Sequence, residues 1–176
     1  LTGFQVSSWT QGRISSIDQI FQAYGAFLNV QFQRVGGTTG SQASSNADIA
    51  IGLVGSYNYG GLGQITALGV FPDPAFAGVV RTILPGYGSN NSNAQIAGDI
   101  FLGDTDAVYS GDWAPGSAGF LFVMHEVGHA LGLKHPHDDG GSSAISGYTI
   151  RPRLASGDDG FHTIMTYNDV TASYTS

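Results

Sequence analysis

Hydrophobic positions along the chain fall into two helical stripes and a set of short alternating runs. From Ser15 to Leu28, apolar side chains recur every three or four residues at Ile17, Ile20, Phe21, Tyr24, Phe27 and Leu28, which predicts an amphipathic helix. Ser15 or Ser16 is placed to cap it, and Asp18 suits its first turn, where acidic groups meet the positive end of the helix dipole. The second stripe predicts a helix from Ala118 to Leu133, approached through Pro115 and Ser117 and ended by Gly132. Period-two alternation or short apolar runs predict strands at Leu1–Trp9, Val30–Val35, Asp48–Leu53, Gln64–Phe71, Ala77–Leu84 and Ala97–Leu102. Polar or glycine-rich loops are expected up to Asn46, at Tyr57–Gly63, at Gly86–Asn93 and from the second helix to Phe161. Strand, helix, strands, helix in that order reads as an α+β fold, a mixed sheet with two helices packed on it. No internal repeat is present.

Composition narrows the function classes. The 176 residues suit one domain. The net charge is −7, with only six scattered basic residues, which argues against a nucleic-acid partner, since phosphate binding needs clustered Lys and Arg. No apolar run approaches the ~18 residues a membrane span needs. The chain opens with Leu1-Thr2-Gly3 and has neither an initiator Met nor a charged start with an apolar core, so no signal peptide is visible in it. With no cysteine the redox compartment is unreadable, and the acidic, glycine-rich, lysine-poor composition leans towards an extracellular bacterial protein. Of the acidic residues only one is a glutamate, Glu126.

That glutamate lies in Met124-His125-Glu126-Val127-Gly128-His129-Ala130-Leu131-Gly132-Leu133-Lys134-His135-Pro136. On a helix, His125 and His129 are separated by about 6 Å along the axis and about 40° around it, so both imidazoles can address one metal ion. Glu126 is then placed to reach a water on that metal without being a ligand. His135 would point elsewhere, about 9 Å further along, if the helix continued. A left-handed Gly132 ends the helix and lets His135 return to the metal. Three neutral imidazoles and a water make an open tetrahedral zinc site of the catalytic kind. With five histidines in the chain, these offsets from Glu126 arise by chance on the order of 10⁻⁵ of the time, which argues against incidental histidines in a buried helix.

This stretch resembles the signature of the metzincin zinc peptidases, H-E-x-x-H-x-x-G-x-x-H, and Thr163-Ile164-Met165-Thr166-Tyr167 resembles the Met-turn of serralysins and matrixins. Pro136 after the third ligand is similar to the serralysin pattern, as is the order of elements before the motif. The resemblance implies a metzincin-type catalytic domain over residues 1–176. Residues 1–135 would carry a twisted mixed sheet, a backing helix and the active-site helix. Residues 136–176 would form a short C-terminal subdomain with the Met-turn. It also implies a secreted zinc metalloendopeptidase acting on protein or peptide substrates, with a monomer as the expectation. Met165 would form an apolar floor beneath the histidines, and Tyr167 would serve as a switchable extra ligand or an oxyanion donor. An edge strand would bind substrate as an added strand, with Gln64–Phe71 the candidate. Relative to serralysins, the C-terminal helix and the calcium-binding nonapeptide repeats do not follow the Met-turn, so the chain is expected to be a shortened piece.

Outside the motif, Asp99, Asp104 and Asp106, or Asp138 and Asp139, offer oxygen ligands that could take calcium, although such clusters are commonly solvated turns. His137 and His162 read as surface or structural residues, and Ser142–Gly160 is expected to form one wall of a specificity pocket. Two other functions share these features, a peptidase that trims only its own precursor and a zinc-bearing binding or adhesion module. The presence of Glu126 argues against the second, since holding zinc does not require it.

Overall fold

The computed structural model describes residues 9–35, 47–54, 57–59, 63–65, 67–83, 93–103, 111, 113–135 and 163–165. The chain divides into two compact units, Leu1–Leu131 and Gly132–Ser176.

The first unit is an α+β arrangement. Helix α1 spans Gln11–Leu28 and starts one turn earlier than the apolar stripe predicts. Thr10, not Ser15 or Ser16, is the cap, its hydroxyl accepting from the Arg13 amide at 3.2 Å. The extra turn has its own anchor, because Arg13 is buried and its guanidinium lies 5.0 Å from the centre of the fully buried Trp113 ring. The buried stripe is Ile14, Ile17, Ile20 and Tyr24. It stops there, and Phe27 and Leu28 are exposed despite fitting the period. Asn29 closes the helix in the left-handed conformation, φ 55° and ψ 42°.

Val30–Val35 forms no strand, contrary to its alternation. After the turn at Asn29 the segment runs back towards α1. The Phe32 ring meets Phe21 at 5.0 Å, and Arg34 approaches Asp18 at 3.6 Å, an exposed ion pair that adds little stability. Alternation records one apolar face, and here that face meets a helix instead of a sheet partner.

The main sheet has three strands in the order β1 (Ile51–Val54), β5 (Ile100–Gly103), β4 (Ala67–Gly69). β1 is parallel to β5, with Ile51 opposite Ile100, and β4 is antiparallel to it, with Gly69 opposite Ile100 and Leu68 opposite Phe101. The sheet is therefore mixed, as expected. Every residue of the central strand β5 is buried, which explains its uninterrupted apolar run. Asp99, at the entry to β5, is almost fully buried. Its carboxylate accepts from the Ala50 amide at 2.9 Å, and its carbonyl accepts from the Val70 amide at 2.8 Å, so one residue ties β5 to both neighbours.

Three predicted elements have a different form. Tyr57–Gly63 is expected to be a loop, but Tyr57–Tyr59 (β2) and Gly63–Ile65 (β3) pair antiparallel as a hairpin. Gln64–Phe71 accordingly contributes to two short strands, β3 and β4, instead of one. Ala77–Leu84 is expected to be a strand, but Ala77–Ile83 is helix α2, entered through a 3₁₀ turn at Pro74–Phe76. The local start signal outweighs the apolar content. Asp73 accepts from the Ala75 amide at 2.9 Å and Pro74 occupies the first turn. Ala77 and Val80, one turn apart, then bury against Val70, Ile96 and Phe101. Helix α3 is the single turn Asn93–Ile96.

Helix α4 spans Ala118–Ala130, capped by Ser117, whose hydroxyl accepts from the Phe120 amide at 3.1 Å. It packs on β4 and β5 and also meets α1. There the Tyr24 hydroxyl donates to the Met124 carbonyl at 2.9 Å, and burial pushes its ionisation above the usual tyrosine range. No helix among the described residues is long and apolar enough to cross a membrane.

Of the second unit the structure describes Gly132–His135 and Thr163–Met165. Ile164 and Met165 form a turn in which the Met165 amide donates to the Thr163 hydroxyl at 3.1 Å. Met165 is buried, with 3% of its surface exposed.

Replacing Asp99 by Ala leaves the buried Ala50 amide without an acceptor. The expected loss is about 2–3 kcal/mol, read as a fall in Tm of roughly 5–10 °C by calorimetry. A shift under about 2 °C would show that Asp99 does not hold the sheet together.

Candidate metal centre

The site is built on the last two turns of α4. The helix buries Val123, Val127 and Ala130 along one stripe, and His125 and His129 are buried as well, at 5% and 6% exposure. Two buried imidazoles are unusual enough to need partners. They meet each other: Nε2 of His129 lies 3.1 Å from Nε2 of His125, with the rings nearly perpendicular at 87°. The helix ends at Ala130. Leu131 is its C-cap, and its amide is held by the Val127 and Gly128 carbonyls. Gly132 follows with φ +94°, a left-handed conformation that a side chain would strain. The chain turns there as the sequence implies. One ring nitrogen from each of His125, His129 and His135 lies within 4.8 Å of the others. Three histidines this close could bind a metal ion.

The donor set fits a zinc-sized cation. Zinc–nitrogen bonds of 2.0–2.1 Å at tetrahedral angles put two ligand nitrogens about 3.3 Å apart, close to the His125–His129 separation of 3.1 Å. Neutral imidazoles are borderline ligands suited to zinc and its neighbours, not to calcium or magnesium, which take oxygen.

Glu126 adjoins this cluster but turns to the sheet. Its Oε2 accepts from the Gly69 amide at 2.6 Å, a short charge-assisted bond. The residue keeps some exposure, yet its carboxyl end is desolvated, and burial pushes its pKa up to about 7 against the partial opposition of the Gly69 hydrogen bond. A general base that changes protonation near neutral pH is matched to proton transfer at that pH. A cation held by the histidines would favour the ionised form and act against the burial effect.

Two residues near the site carry no signal of their own in the sequence. Gly69, at the end of β4, lies directly against α4. A Cβ there would collide with the Glu126 carbonyl oxygen and come within 2.8 Å of the His129 Cβ. Phe71, two residues on, places its ring 5.4 Å from that of His129 and 5.2 Å from that of Phe76. The alternation of Gln64–Phe71 marks a strand but not which residue touches the helix. β4 is one of the two edges of the three-stranded sheet among the described residues, and Gln64–Phe71 is the segment expected at an edge.

The remaining candidates divide simply. The Asp99 carboxylate is directed into the sheet, at the Ala50 amide. Tyr167, Pro136, His137, His162, Asp104, Asp106, Asp138, Asp139 and the expected pocket wall Ser142–Gly160 lie outside the described residues. Comparison with known proteins finds no family model, no curated protein and no solved structure that matches the chain.

The Glu126 shift has a consequence for the metal-free chain. Its carboxyl ionises in the unfolded chain near 4.5 and in the folded chain near 7, so folding favours the protonated form. The stability from this group is complete below the lower value and is lost as pH rises through the upper one. Between those limits, the Tm of metal-free wild type should fall relative to that of Glu126→Gln, by the equivalent of at most about 3 kcal/mol. Parallel Tm–pH curves for the two proteins would refute a buried, raised Glu126.

Proposed function

We propose that this chain is a zinc-dependent endopeptidase, a secreted, serralysin-like member of the metzincin group. The observation that carries the reading is the convergence of His125, His129 and His135 to within 4.8 Å, with Glu126 next to the first of them on the same helix. The left-handed Gly132 and the turn at Ile164–Met165 support it, since both occur where the metzincin signature and Met-turn require them.

In this reading His125, His129 and His135 hold the zinc ion. When bound, it supplies a Lewis acid that makes water a nucleophile at neutral pH and draws electron density from the substrate carbonyl. Glu126 uses one carboxylate oxygen to take the proton from the attacking water as the new carbon–oxygen bond forms. It returns that proton to the amide nitrogen as the carbon–nitrogen bond breaks, leaving a free carboxylate product and a free amine. Burial in α4 and the Phe71 ring beside His129 restrict the positions His125 and His129 can take. The metzincin resemblance implies that Met165 serves as an apolar floor of the site and Tyr167 as an oxyanion donor or exchangeable ligand. The edge of β4 receives the substrate as an added strand through main-chain groups other than the Gly69 amide, which Glu126 holds, and leaves side-chain preference to the surrounding loops.

Casein cleavage with and without a zinc chelator tests the class. Cleavage should stop with chelator and return with added zinc. Glu126→Ala should retain one zinc per chain and lose about three or more orders of magnitude in kcat. Near-wild-type turnover in that variant rules out Glu126 as the base. Zinc binding without cleavage of any substrate favours a binding module. His129→Ala should lose tight zinc binding and activity together, measured by metal analysis after dialysis.

A further inference from the structure

We propose that Gly69 is a positioning residue for Glu126, its amide holding one oxygen of the catalytic carboxylate and its missing side chain letting the edge strand lie on the helix that carries the base. This rests on the reading of Glu126 as the general base.

Three observations carry it. The first is the direction of the Gly69 amide. Hydrogen-bonded and non-bonded pairs alternate along an antiparallel ladder. The Val70 amide donates to the Asp99 carbonyl, and Gly69 stands opposite Ile100, so Val70 and Leu68 face β5 while the Gly69 amide faces away from it. An edge-strand amide directed outward needs an acceptor, and Glu126 Oε2 is that acceptor at 2.6 Å. The second is selectivity between the two carboxylate oxygens. With Oε2 held by the strand, Oε1 is left for the proton that moves during the reaction, at a fixed place and angle. A carboxylate without that bond would rotate about its terminal torsion, which has a broad energy profile. The third is the absence of a Cβ. Any other residue at position 69 would place that atom against the Glu126 carbonyl oxygen, within 2.9 Å of the carbonyl carbon and 2.8 Å of the His129 Cβ. All these atoms belong to α4, so a side chain could be accommodated only by moving β4 off the helix. That movement would lengthen the amide–carboxylate bond and disturb His129. Glycine therefore serves both the close approach and the hydrogen bond, and the strand edge and the base behave as one rigid piece.

The test separates the hydrogen bond from the packing. Exchanging Gly69 for glycolic acid in the full chain turns its amide into an ester, which removes the N–H and adds no Cβ. Zinc content should be unchanged and KM should stay within about twofold, while kcat should fall about 10–100-fold, the usual penalty for a mispositioned catalytic group. A wild-type kcat in the ester protein overturns the proposal, and the peptidase reading survives if Glu126→Gln still abolishes cleavage. A second readout needs no activity. In chains labelled with 15N-glycine, the Gly69 amide proton should resonate far downfield in metal-free and zinc-loaded protein and should move upfield in Glu126→Ala. An unmoved resonance overturns the proposal whatever the enzyme does. If Glu126→Gln leaves cleavage intact, the base assignment falls, and the positioning role falls with it.

Discussion

Helix α4 lying flat on the β4–β5 pair is the contact on which the site depends. Val123, Val127 and Ala130 bury one side of the helix, and β5 presents an unbroken buried strand beneath the same layer. A helix and a strand can approach this closely only where a side chain is missing, and Gly69 is that place. The close approach brings a main-chain donor of the edge strand to the carboxylate of Glu126 and an aromatic ring, Phe71, to His129. Spacing along the helix sets the histidines relative to each other, and contact with the strand sets their environment.

That environment puts opposing demands on its polar groups. Burial disfavours charge on Glu126, while the Gly69 amide favours it. The two imidazoles are buried against each other, where protonation of both would place two positive charges 3.1 Å apart. The converging ring nitrogens leave room for a cation between them, and the Glu126 carboxyl beside them is held between desolvation and its hydrogen bond to the strand.

The convergence of the histidines was legible in the sequence because most of it is local. Four-residue spacing brings His125 and His129 to one face of any helix, and Gly132 takes the backbone conformation that its position after the last turn suggests. The α+β class was legible for a similar reason, since the stripe at Ile17, Ile20 and Tyr24 and the apolar run Ile100–Leu102 each have one periodicity. Errors arose where periodicity has two solutions. Val30–Val35 alternates, yet its apolar face is turned to α1. Ala77–Ile83 is apolar, yet the Asp73–Pro74 start makes it a helix. Thr10 caps α1 because Arg13 and Trp113 meet across the fold and anchor a turn that no apolar stripe announces.

By itself the sequence determined the identity and spacing of the candidate ligands, the position of Glu126 beside them and the place where the helix must stop. These depend on the geometry of one helix and the conformational freedom of one glycine. Only the tertiary structure decided that Asp99 is a sheet tie and that Gly69 and Phe71 touch the site. Each is a contact between residues far apart in the chain, and no local periodicity encodes which residues will meet once the layers are packed.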